Sequence, residues 1–448
     1  MDITLDFKSK RVQGTVTLPA SKSISNRVLI VNALADSELP IENLADCDDT
    51  QSMVRILCSE NSYFDVGHAG TAMRFLTAYL SRIIGKWVLT GSERMKQRPI
   101  RVLVEALNRL GARIGYLENE GFPPLEIYGS RLVGGSIDIP ASVSSQYISA
   151  LLMIAPYMEK GLEIRLTGKV VSSSYIDMTL QIMREFGAEV GREDTVIGVK
   201  PGEYRSVPYR VESDWSAASY FYELLAIAGE GEIILTGLKE KSMQGDSRQT
   251  VVWRKLGVRT CYEGDLVRLS AAKPEIDRLD YDFVEMPDLV QSFAVACCMR
   301  RIPFLFRGVE TLRIKETDRI QALIEELGKL GYLLKAEGDG ALIWEGERTG
   351  GQPCPRIATY HDHRMAMAFA PAALKHPGLV IVDKEVVSKS FPRYWEALAG
   401  CFGTKSGYSD LLALKNCFTI SLHSPVKMPE VIRVFGCNTG GVRREYPR

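Results

Sequence analysis

Cations crowd the places in this chain where helices should begin. Lys22 and Arg27; Arg74; Arg94, Lys96 and Arg98; Lys239 and Lys241; Arg313, Lys315 and Arg319; Arg364; and Lys384, Lys389 and Arg393 all stand at loop-to-helix junctions. A helix N-terminus presents unpaired N–H groups and a partial positive charge, so Asp, Glu, Ser or Thr are favoured there and Lys or Arg cost stability. Such crowding is tolerable where anions neutralise it, and the neighbouring N–H groups are themselves phosphate ligands. If these loops open into one cleft, the chemistry to expect is capture of ligands with several negative charges. Two phosphates and one or two carboxylates would suit. Solvated surface charge is the competing reading, and for any single Lys it is the better one.

The most specific run is Pro19-Ala20-Ser21-Lys22-Ser23-Ile24-Ser25-Asn26-Arg27, which opens an apolar helical stretch, Val28 to Leu34. It sets small hydroxyls and two cations on a first helical turn, where phosphate-binding groups belong. Further polar runs follow: His68-Ala69-Gly70-Thr71-Ala72-Met73-Arg74; Arg94-Met95-Lys96-Gln97-Arg98-Pro99; Ser142-Val143-Ser144-Ser145-Gln146-Tyr147; Ser242-Met243-Gln244-Gly245-Asp246; Lys315-Glu316-Thr317-Asp318-Arg319; Asp362-His363-Arg364-Met365-Ala366-Met367; and Ser388-Lys389-Ser390-Phe391-Pro392. Taken alone, Asp288 after Pro287 reads as a helix cap, and Glu316 as a first-turn residue complementing a dipole. His361 and His363 form an HxH pair, but positions i and i+2 of a helix face different ways, so no metal is expected. Met365 and Met367 read as core.

The elements that must position these runs repeat. An apolar strand ending near Gly, a polar loop, an amphipathic helix and a Leu-Gly-Ala-like end recur six times, about 70 residues apart. Clear copies run from Leu89-Thr90-Gly91 to Leu110-Gly111-Ala112, from Leu166-Thr167-Gly168 to Phe186-Gly187-Ala188, from Leu235-Thr236-Gly237 to Leu256-Gly257-Val258, and from Phe306-Arg307-Gly308 to Leu330-Gly331-Tyr332. Weaker copies start at Ile41-Glu42-Asn43 and Ile381-Val382-Asp383. The Gly at each helix end suits a left-handed cap, and the β-branched run after it suits a strand, so each copy reads as a βαβ-type unit. Six copies divide into two groups of three, with the boundary near Val211-Glu212-Ser213-Asp214. The lobes expected are 20–212 on one side and 1–19 with 213–403 on the other, followed by an atypical C-terminal tail, 404–448.

Composition excludes several classes. The 448 residues are 46% hydrophobic and 25% charged, ordinary for a folded protein, and length alone suggests two or three folding units. Lys+Arg and Asp+Glu are both 55, so bulk charge gives no reason to expect nucleic acid or an anionic membrane as partner. Met1 to Gly14 lacks the apolar core of a signal peptide, and no apolar stretch approaches the ~20 residues that span a bilayer. A cytoplasmic protein with reduced cysteines is expected, since the nine cysteines show no CxxC pair.

In order and spacing, the eight polar runs closely resemble the 5-enolpyruvylshikimate-3-phosphate synthases of the enolpyruvyl transferase family, from about Val12 to Gly403. The resemblance implies an α/β fold, a two-lobed inside-out α/β barrel with three βαβαββ repeats in each lobe, closing on substrate. It implies transfer of the enolpyruvyl group of phosphoenolpyruvate to shikimate 3-phosphate, without metal or organic cofactor, by a monomer whose only partners are these small molecules. Residue by residue, it implies shikimate 3-phosphate among Lys22, Ser23, Arg27, Ser144, Ser145, Gln146, Ser172, Tyr175, Asp288 and Lys315. Phosphoenolpyruvate is implied among Lys22, Gly70, Arg98, Gln146, Arg319, Arg364 and Lys389. Asp288 matches the group that accepts the hydroxyl proton and Glu316 the one that handles the C3 proton, with Lys22 and Lys315 stabilising developing charge.

The match has departures. His68 stands where the family has Asn, Phe75 where Pro is common, and the stretch from Asp49 to His68 is short. Two rivals remain: the sister enzymes acting on UDP-N-acetylglucosamine, and a non-catalytic phosphometabolite sensor of the same fold. No reactive Cys lies near Arg94 to Arg98, which disfavours the first. Retention of both Asp288 and Glu316 disfavours the second.

Overall fold

Four sheets share one topology. In the computed structural model, which describes residues 1–7, 9–141, 144–168 and 171–402, Tyr63–Asp65 pairs in parallel with Gly85–Thr90, and the hairpin Arg113–Tyr116/Leu125–Gly129 extends the sheet antiparallel. Gly135–Pro140 with Leu162–Thr167, Val12–Thr17 with Gly231–Thr236, and Leu279–Asp282 with Phe304–Arg307 form the parallel pairs of the other three, each again extended by an antiparallel hairpin. A parallel pair needs a long crossover, and helices supply it. Two smaller sheets complete the set: Ile3–Leu5, Leu379–Ile381 and Arg356–Ile357 in one, Tyr209–Arg210 beside Ile41–Glu42 in the other.

The repeated tripeptides mark the ends of parallel strands, and in all but Leu89-Thr90-Gly91 the last position has a conformational reason. Asn43, Gly168, Gly237, Gly308 and Asp383 all have φ between 52° and 81°. That left-handed region is open to Gly and tolerated by Asn and Asp, so the weaker copies keep the turn with a different residue. Gly111, Gly187, Gly257 and Gly331, at the helix ends, are left-handed as expected.

Each repeat supplies one enclosed helix and one amphipathic helix. Lys22–Leu34, Gly70–Arg82 and Ser145–Ile154 are buried along nearly their whole length and pack together, and so do Trp215–Ala228, Val290–Arg300 and His363–Phe369. Helices apolar on all sides must be surrounded, and here sheets and amphipathic helices surround them. Arg319–Lys329 shows the second kind, burying Ile320, Leu323 and Leu327 at helical spacing while Gln321 and Glu325 face out. Among the described residues, no helix is long and apolar enough to cross a membrane.

The described chain forms two compact units. One joins Met1–Ala20 to the residues from Glu212 on; the other is Ser21–Val211. The N-terminal residues return to the first because Val12–Thr17 and Ile3–Leu5 complete sheets whose other strands lie beyond Gly231. The tail expected over 404–448 lies outside the described residues, as do Ser142 and Val143 of the serine-rich run.

Candidate active site

In the unit Ser21–Val211, the starts of the three enclosed helices carry Lys22, Gly70 and Ser145, with no acidic residue in any of the three first turns. Ser21 and Ser144 cap two of them through their hydroxyls. Gln146 Nε2 donates to Thr71 Oγ1 at 3.3 Å, tying one helix start to another. Lys22 Nζ is 3.1 Å from Asp49 Oδ2. The Arg98 guanidinium lies against Gly70, where a Cβ would stand 2.6 Å from Nη1. The buried Nε of Arg98 has no hydrogen-bond partner among the described residues, an arrangement that suits an arriving anion.

Arg27, one turn further along its helix, is 2% exposed. Its guanidinium donates to Thr179 Oγ1 at 2.7 Å, Ser149 Oγ at 3.2 Å and the carbonyls of Ser23 and Tyr175, all neutral acceptors. The rings of Phe75 and Tyr175 lie 5.3 and 5.8 Å away. Among the described residues Arg27 forms no ion pair, and burial pushes it down to about 10. A desolvated cation without a counter-ion is costly alone and a strong anion site once occupied. Ser172, which precedes the helix Ser173–Glu185, has φ 55° and makes no capping bond, an uncommon conformation for a side-chain-bearing residue.

In the other unit, Arg319 organises a carboxylate cluster. Its Nε donates to Asp362 Oδ2 at 2.7 Å, Nη1 to Asp288 Oδ1 at 2.9 Å and Nη2 to Glu316 Oε2 at 3.1 Å. Arg364 reaches Asp288 Oδ2 at 3.1 Å and its carbonyl at 3.2 Å, Lys315 lies 3.6 Å from Asp288, and Lys389 lies 3.1 Å from Glu316. Burial opposes ionisation of Asp288, but Arg364, Lys315 and Arg319 together hold its carboxyl well below the usual range. Asp362 caps its own helix through the Arg364 N–H at 2.9 Å. Asp246 accepts the Ser216 hydroxyl, and burial followed by repulsion from Asp288 pushes its acid up to about 7.

A family model described as EPSP synthase (3-phosphoshikimate 1-carboxyvinyltransferase) matches residues 7–59 and 57–398. The chain belongs to the EPSP synthase family. A Bacteroides fragilis protein named 3-phosphoshikimate 1-carboxyvinyltransferase is 53% identical over 400 residues, covering 89% of this chain and 97% of the relative. One of that name from Escherichia coli O1:K1 is 38% identical over 418 residues, covering 87% and 96%. The solved EPSP synthase of Acinetobacter baumannii aligns with a TM-score of 0.71 at 22% identity, over 89% of this chain and 98% of that one. The fold is therefore the two-lobed α/β fold of EPSP synthases.

Of the residues expected for an EPSP synthase site, Asp288, Lys315, Glu316, Arg319, Arg364 and Lys389 form one continuous network in the first unit. Lys22, Gly70, Arg98, Ser144, Ser145 and Gln146 stand at or against helix starts in the second, with Ser23, Arg27, Ser172 and Tyr175 around the Arg27 helix and its neighbour. The isolated readings of Asp288 as a cap and Glu316 as a first-turn residue do not describe the fold. Asp318 is the cap, Glu316 precedes it, and Asp288 sits in the turn Pro287–Leu289. His361 is exposed and left-handed whereas His363 is buried.

Sequence reasoning missed Asp49 as the partner of Lys22, Asp362 as a partner of Arg319, Asp246 as a neighbour of Asp288, and Ser149 and Thr179 as acceptors for Arg27. Asp246 and Asp362 stood inside quoted runs. Ser149 and Thr179 gave one signal, a hydroxyl inside an apolar helical stretch, which burial alone turns into an obligation to bond.

Proposed function

We propose that this chain transfers the enolpyruvyl group of phosphoenolpyruvate to the 5-hydroxyl of shikimate 3-phosphate, releasing phosphate, in the route to aromatic amino acids. Membership of the EPSP synthase family supports the reaction, and the observation that carries the site assignment is the pair Asp288 and Glu316, both bonded to one buried Arg319. The hydroxyl oxygen attacks C2 of phosphoenolpyruvate while C3 gains a proton; C3 then loses a proton as the C2–O bond to phosphate breaks. Asp288 is assigned the hydroxyl proton and Glu316 the C3 proton. Lys22, Arg98, Arg319, Arg364 and Lys389 are assigned to the donor's phosphate and carboxylate, with Gly70 and Gln146. Ser23, Arg27, Ser144, Ser145, Gln146, Ser172, Tyr175 and Lys315 are assigned to shikimate 3-phosphate.

The assignment requires groups of both units to serve the same substrate pair. All of them come from one chain, so a monomer suffices, and the buried free thiols of Cys297 and Cys298 agree with a reducing cytoplasm. The test is phosphate release from shikimate 3-phosphate and phosphoenolpyruvate, with Asp288→Ala and Glu316→Ala each lowering the rate by ~10²-fold or more. Release only with UDP-N-acetylglucosamine would overturn the acceptor, and binding without turnover would overturn catalysis.

A further inference from the structure

Three helices that begin at the carboxylate cluster end at a second, unassigned group of cations. Val290–Arg300 starts two residues after Asp288 and closes on Arg300 and Arg301. Arg319–Lys329 starts with Arg319 itself and leads to Tyr332. His363–Phe369 carries Arg364 near its start and continues through the turn Ala370–Leu374 to Lys375 and His376. An 11-residue helix at ~1.5 Å per residue puts these ends roughly 16 Å apart. At the far end Arg300, Arg301, Arg348, Lys375 and His376 surround a cavity of about 410 Å³, with Tyr332 in its wall.

None of these five groups forms an ion pair among the described residues, in a unit where Arg278, Arg268 and Arg313 each hold two carboxylates. Arg348 lies over the Tyr332 ring at 4.8 Å, which fixes its place without neutralising it. Partial desolvation holds Lys375, at the rim of the cavity and exposed, below its ordinary value, with Arg300 and Lys10 adding to the effect, and burial then Arg348 does the same to His376. Helix C-termini favour cations, but a partial charge of about −0.5 at each end cancels less than half of four full charges.

We propose that this cavity is a second anion site, which takes a small metabolite bearing two or more phosphate or carboxylate groups. Cations on three separate elements suit a ligand whose charges are spread over several ångströms, and a cavity of this size holds a diphosphate-sized group. Arg, with its planar fork, provides paired bonds to each phosphate, while Lys375 acts as a point charge.

The test is calorimetric titration of the full chain with inorganic pyrophosphate, beside Arg300→Gln/Arg348→Gln and, separately, Lys375→Gln. The wild type is expected to show a pyrophosphate site that weakens at least tenfold in the double variant and severalfold in Lys375→Gln, with orthophosphate at least tenfold weaker than pyrophosphate. Affinity for shikimate 3-phosphate should stay unchanged in both variants, which separates this cavity from the groups assigned to the reaction. Thermal melts verify folding, and Lys375→Gln, at an exposed position, decides the matter if the double variant does not fold. Identical pyrophosphate isotherms in wild type and variants would overturn the proposal, as would equal binding of orthophosphate. A single-stranded oligonucleotide that bound more tightly than pyrophosphate, and lost binding in the same variants, would overturn the small-ligand assignment.

Discussion

Arg319 donates to Asp288 at 2.9 Å with a guanidinium that is 1% exposed, and it joins Arg364 and Lys315 in keeping that carboxyl ionised. The same guanidinium holds Glu316 and Asp362.

Arg319→Met is therefore expected to unfold easily as well as to inactivate. It leaves the fully buried Asp362 without the guanidinium that neutralises it and removes one of three cations from Asp288, a loss of roughly 3–5 kcal/mol. Urea unfolding measures it, and a change under about 1 kcal/mol would show that the network does not bear on stability.

Arg27→Met should behave in the opposite way. Its cation is buried among neutral acceptors with burial pushing it down to about 10, so removing it relieves a desolvation cost and offsets the bonds lost to Ser149 and Thr179. Stability should stay within about 1 kcal/mol of wild type while affinity for shikimate 3-phosphate falls at least tenfold, a loss of about 1.4 kcal/mol or more. Unchanged affinity would remove Arg27 from the site.

Gly70→Ala places a methyl 2.6 Å from Arg98 Nη1. Arg98 must shift, and with it the phosphoenolpyruvate contact proposed for it. The KM for phosphoenolpyruvate should rise about tenfold or more with a smaller change for shikimate 3-phosphate, since a displacement near 1 Å can cost up to ~10²-fold. Equal effects on both substrates would contradict the assignment of Gly70 and Arg98 to the donor.

Asp246 supplies the pH prediction. Its acid rises from 3.8 in an exposed setting to about 7 when folded, so between these values the folded protein binds the extra proton. Its contribution to stability is fully present below pH ~4 and is lost as pH rises through ~7, a cost on the order of 4 kcal/mol above that range. Asp246→Asn should gain stability over wild type between pH 5 and pH 8. A difference that does not vary with pH would exclude titration of Asp246 in this window.

Much of this fold was legible because its cause is local. The Gly, Asn or Asp after the parallel strand in five of the six repeats answers to a left-handed φ that the sequence must satisfy there, and the helix-ending glycines answer to the same constraint. The first turn at Lys22 was legible for a similar reason: a cation in a first turn that carries no acid has few local explanations. Asp246, Asp362, Ser149 and Thr179 were not legible as site partners, because each role depends on what packs against it from more than 25 residues away.

By itself, the sequence determined the repeat, its turns, its amphipathic helices and the cations at helix starts, all consequences of backbone geometry and side-chain polarity over a few residues. Tertiary structure decided the electrostatics. Cations brought from distant segments keep Asp288 ionised against its burial, whereas burial makes Asp246 titrate near neutrality and leaves Arg27 a cation among hydroxyls, since the energy of a charge depends on the solvent removed and the partners supplied, and both come from distant parts of the chain.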